Sequence, residues 1–68
     1  MIEWMEDKDG LFLYEEGKPF VRVYEMLESK DVWCVSIADA GFVDEKRYLD
    51  KETAKHLGVY YFNHGEWP

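Results

Sequence analysis

The sequence predicts an α+β fold: an antiparallel meander of three to five strands followed by one C-terminal helix packed on one sheet face. Three observations carry this reading. Turn signals, most of them containing glycine, punctuate the chain before Asp50. Between them run β-branched and aromatic residues in alternation. From Asp50 onward the apolar spacing changes to that of a helix.

Taken in order, Ile2 and Trp4 share one face of a short first strand. Asp7-Lys8-Asp9-Gly10 is a turn, because glycine supplies the backbone freedom a tight reversal needs. Leu11-Phe12-Leu13-Tyr14 forms the second strand, and Glu15-Glu16-Gly17-Lys18 the second turn. Residues 20–28 are expected to form the longest strand, with Pro19 at the entry, where a missing N–H does least harm. Ser29-Lys30-Asp31 turns the chain into a strand over residues 32–38, which Asp39-Ala40-Gly41 ends. This is a four-stranded meander. Residues 42–49 read either as a loop anchored by Phe42 and Val43 or, at residues 46–49, as a short edge strand.

The alternation assigns faces. Trp33, Val35 and Ile37 lie on one face of their strand and should be core; Val32, Cys34, Ser36 and Ala38 lie on the other. Residues 20–28 are apolar on both sides, with Val21, Val23 and Leu27 on one and Phe20, Tyr24 and Met26 on the other. A strand of that kind expects cover on both faces.

Asp50 reads as a helix N-cap, with Glu52 in the first turn, where the helix dipole favours an acid. Ala54, Leu57, Gly58 and Tyr61 follow the spacing of one buried face, and the small Ala54 and Gly58 would let the helix lie close to the sheet. The competing reading ends the helix at Gly58 and makes residues 59–62 a further strand. The spacing favours the longer helix, with Gly65 as its stop. Trp67 either folds back or is exposed. One helix covers one face, so Phe20, Tyr24 and Met26 either stay open as an interface or are capped by residues 39–48.

Composition bounds the function. The chain has 68 residues, so it should form one small domain, and its single cysteine allows no internal disulfide. The 18% aromatic content is the expected substitute for such a staple. The acidic start is unlike a signal sequence, and the longest apolar runs, about four residues, fall far short of the roughly 20 that span a bilayer. A cytoplasmic protein with no membrane partner is expected.

The net charge is −7, from 15 acids and eight bases. Residues 1–16 hold six acids and one base (−5), leaving nine acids and seven bases (−2) for the rest. Such a chain lacks the cationic surface that nucleic-acid phosphates require. It suits a basic protein partner, or the acids serve solubility alone.

No motif carries catalysis. With Gly10 at position 6 of a calcium loop, Asp7, Asp9 and Glu16 fall at positions 3, 5 and 12, but position 1 is Met5, and the flanks read as strands where that motif needs helices. Cys34, His56 and His64 are too few and too separated for a zinc site, and Cys34 sits mid-strand rather than in an electropositive, exposed setting. Glu15-Glu16 and Asp44-Glu45 are expected to be solvated turn residues rather than an acid–base pair, which needs a cleft between its members. No cofactor, metal site or catalytic residue is expected.

Tyr48-Leu49-Asp50-Lys51-Glu52-Thr53-Ala54-Lys55, following a sheet that contains Trp33, resembles a pattern common in small bacteriophage and mobile-element proteins. It is also similar to the sheet-then-helix N-terminal arm-binding domain of tyrosine recombinases. The resemblance implies architecture only, because those domains are basic where this chain is acidic.

The function expected is a non-enzymatic protein-interaction module. Its partner-binding residues would be Glu6, Asp7, Asp9, Glu15, Glu16, Phe20, Tyr24 and Met26. One version is a nucleic-acid mimic whose carboxylates over residues 3–16 stand in for phosphates. The alternative is a structural homodimer that buries the second sheet face; a small enzyme is the remote alternative.

Overall fold

The computed structural model describes residues 2–68, and among these it contains five strands and one helix. The strands are β1 (Met5–Asp7), β2 (Gly10–Leu13), β3 (Phe20–Glu25), β4 (Trp33–Asp39) and β5 (Phe42–Leu49), followed by α1 (Lys51–His64). They form one sheet in the order β1-β2-β3-β4-β5, every neighbour antiparallel. The fold is the expected α+β meander with a C-terminal helix.

Register explains which face the helix takes. Leu11 pairs with Val23, Leu13 with Val21, and Val21 and Val23 with Ile37 and Val35. Val21, Val23, Val35 and Ile37 are completely buried, each contributing about 1.5–3 kcal/mol by leaving water. On them lie Ala54, Tyr61 and Phe62 of α1. At Gly58 the helix approaches so closely that a Cβ would stand 2.8 Å from Val21 Cγ1.

The helix ends follow their sequence signals. Asp50 accepts hydrogen bonds from the Thr53 N–H (3.2 Å) and the Thr53 hydroxyl (2.6 Å). Gly65, at φ 75°, caps the other end and donates its N–H to the Tyr61 carbonyl. Helix therefore runs through residues 59–62, because these place Tyr61 and Phe62 on the core. Trp67 folds back: its indole N–H donates to Asp44 Oδ2 (2.9 Å), its ring meets Tyr61 edge-on, and Lys46 stands over it.

Four expectations change. Ile2 and Trp4 precede β1 rather than forming it, yet both pack against the core. β3 stops at Glu25, so Met26 and Leu27 are not strand residues, and Leu27 is fully exposed rather than core. The Met26 N–H donates to the Val32 carbonyl, closing a loop over residues 26–32. Residues 42–49 form the longest strand, reached by a two-residue reversal in which Ala40 and Gly41 both have positive φ, the geometry that suits the sheet's twist. As a strand paired to β4, this segment does not fold across the second sheet face.

Candidate protein-binding surface

The face opposite α1 has no covering element among the described residues. Successive pairings place Met5, Phe12, Arg22, Ser36 and Glu45 in one row across it. A parallel row holds Phe20, Ala38 and Val43. Phe12 and Phe20 lie 6.0 Å apart between ring centroids, and Tyr14 adds a third ring 6.4 Å from Phe20. The guanidinium of Arg22 sits over both Phe12 (5.4 Å) and Phe20 (5.6 Å). It also donates two hydrogen bonds to the Asp7 carboxylate, at 3.0 and 3.1 Å. That bidentate grip holds the Asp7 carboxyl below its ordinary pKa and raises that of Arg22. On the far side Arg47 pairs with Glu45. Tyr24 stands beside the buried Cys34 and reaches Glu45 at 3.5 Å. Burial first, then the neighbouring Cys34 and Glu45, pushes the Tyr24 phenol upward.

At one end of the sheet the β1–β2 turn and the loop over residues 26–32 enclose an open groove of about 660 Å³. Tyr24, Trp33 and Leu27 supply its apolar surface, and Glu6, Asp9 and Glu25 are among its acids. At Gly10, φ 136°, an added Cβ would stand 2.5 Å from the Val23 carbonyl oxygen, so the start of β2 lies too close against β3 for any other residue. Glu25 is partly engaged, accepting the Asp31 N–H at 2.6 Å.

The expected partner-binding residues do not form one surface. Glu6, Asp7, Asp9 and Tyr24 all line the groove. Glu15 and Glu16 lie exposed in the β2–β3 turn at the opposite end of β2, the end nearer Phe20. Met26 is half-buried in the loop after β3 and does not line the groove. Asp7, expected among the partner-binding acids, is held by Arg22.

Sequence reasoning passed over Phe12, Arg22, Trp33 and Leu27 as surface residues. The signal for Arg22 was present: one cation between Val21 and Val23, downstream of an acidic turn. No group of three or more metal-ligating side chains is found among the described residues, and no helix there is long and apolar enough to cross a membrane.

Comparison with known proteins returns no matching family model, no similar curated protein and no similar solved structure.

Proposed function

We propose that this protein is a non-enzymatic interaction module that receives a basic, apolar-flanked segment of a protein partner. The observation that supports it is the groove, which sets Tyr24, Trp33 and the fully exposed Leu27 beside Glu6 and Asp9. The Tyr24 ring attracts a cation, while the Trp33 ring already faces Lys51 and offers apolar contact, and carboxylates within reach add a charge-assisted hydrogen bond. A lysine or arginine next to a leucine-like residue suits that combination. The net charge of −7 would speed the approach of such a partner. The same charge disfavours direct contact with nucleic-acid phosphates, and the setting envisaged is cytoplasmic. A nucleic-acid-mimicking form of the proposal would use the carboxylates of residues 3–16 as one surface. The local groove suits the arrangement better, because Arg22 holds Asp7 and Glu15 and Glu16 sit at the other end.

The test uses a short peptide of alternating lysine and leucine and compares wild type with Asp9→Lys and Glu16→Lys. Reversing a groove charge should weaken binding about fivefold, roughly 1 kcal/mol, whereas Glu16→Lys changes it by less than about twofold. Equal weakening by both variants would mean diffuse attraction and would sink the groove assignment.

A further inference from the structure

Resting on the groove reading above, we infer that the loop over residues 26–32 is a flap whose Leu27 closes over the bound segment and covers its apolar residue against Trp33. Leu27 stands at the rim of the groove and is fully exposed. Water around a leucine side chain is unfavourable, so burying it drives closure wherever apolar surface comes within reach. In the free protein none does: the groove measures about 660 Å³, several times the size of one leucine side chain. A bound lysine–leucine segment narrows that gap and supplies the missing apolar surface, so occupancy and closure favour each other.

The loop has a firm base and a loosely held body. At the base the Met26 N–H donates to the Val32 carbonyl at 2.7 Å. Inside the loop the bonds are long: Ser29 N–H to the Met26 carbonyl and Val32 N–H to the Ser29 carbonyl, both at 3.4 Å. Leu27, Glu28, Lys30 and Asp31 are exposed, so little packing ties the loop to the sheet. One tie remains, the Glu25 carboxylate, which accepts the Asp31 N–H at 2.6 Å while Asp31 holds φ at 63°. Positive φ is unfavourable for a residue with a side chain, although aspartate bears it better than most. Glu25 also lines the groove. A lysine ammonium that binds there draws on the carboxylate that tethers the loop, so one group feels both the cation and the flap.

The test compares wild type with Leu27→Ser, using the lysine–leucine peptide and a second peptide of alternating lysine and serine. Leu27 is fully exposed, so the variant should keep the fold, which circular dichroism checks. It should bind the lysine–leucine peptide about fivefold more weakly, what burial of one or two methylene groups provides, and the lysine–serine peptide less than about twofold more weakly. The loss should lie in the dissociation rate. Neither peptide carries an aromatic ring, so an upfield shift of the wild-type Leu27 methyl resonances on saturation with the lysine–leucine peptide reports their approach to Trp33 and is the expected sign of closure. Unchanged binding by Leu27→Ser, equal weakening toward both peptides, or weakening without the methyl shift would overturn the flap. The groove reading survives those results if Asp9→Lys still weakens binding, whereas wild type that binds neither peptide sinks both.

Discussion

Gly58→Ala should destabilise the protein although it improves the helix. In a helix interior alanine is favoured over glycine by about 1 kcal/mol. Here the added methyl would stand 2.8 Å from Val21 Cγ1, 3.1 Å from Trp4 Cη2 and 3.4 Å from Val35 Cγ2. Val21 and Val35 are completely buried and stiff at χ1, so neither can swing aside. Overpacking of this kind costs about 1–3 kcal/mol. The net expectation is a loss of about 1 kcal/mol, which in a domain of this size lowers Tm by about 4–8 °C. Urea denaturation followed by circular dichroism measures it. In the double variant Val21→Ala with Gly58→Ala the obstructing Cγ1 is gone, so the two losses should fall short of additivity by at least about 0.5 kcal/mol. A Gly58→Ala protein more stable than wild type by the propensity gain would show that α1 does not press on the sheet at this point.

Other consequences follow from the same geometry. Asp50→Ala removes both hydrogen bonds to Thr53 and should lower the urea midpoint of unfolding, and an unchanged midpoint would mean that the cap contributes nothing. Tyr48 has φ 63° yet is 73% exposed, so Tyr48→Gly should stabilise by about 1 kcal/mol, and an equal loss would mean that the ring packs. The Trp67 indole lowers the Asp44 carboxyl below 3.8, as Thr53 does for Asp50 and Arg22 for Asp7. A depressed native pKa means stability that is complete above the unfolded value and is lost as pH falls through the lower folded value. The Trp67 indole N–H resonance should therefore titrate with a midpoint below 3.8, and a midpoint above it would exclude the Asp44 contact.

The helix was legible because its signals are local: the Asp50 cap, the Gly65 stop, and Ala54, Gly58 and Tyr61 on one face. The core face of β4 was legible from alternation alone, since Val35 and Ile37 have strict spacing and no charge between them. β5 was legible only in its last residues, where a short edge strand over 46–49 was one of two readings, because a strand carrying Asp44-Glu45-Lys46-Arg47 shows no apolar period; its charges are a common protection of such edges against further pairing. The bulge near Tyr48 shifts its register as well, opposite Trp33 and Val35. The end of β3 was misplaced because Met26 and Leu27 continue the apolar pattern, while the backbone turns there to bond Met26 to Val32. Of the candidate site, Glu6, Asp9 and Tyr24 were found from charge and strand face. Their meeting with Trp33 and Leu27 depends on how two separate turns lie at one sheet end, which no single stretch of sequence encodes.

The most direct test of the interaction reading is amide and indole chemical-shift mapping while the lysine–leucine peptide is titrated into the labelled protein. The account predicts shifts at Glu6, Asp9, Gly10, Tyr24, Glu25 and the Trp33 indole, with Glu15, Glu16 and Glu66 still. Shifts spread evenly over all the exposed acids would contradict it.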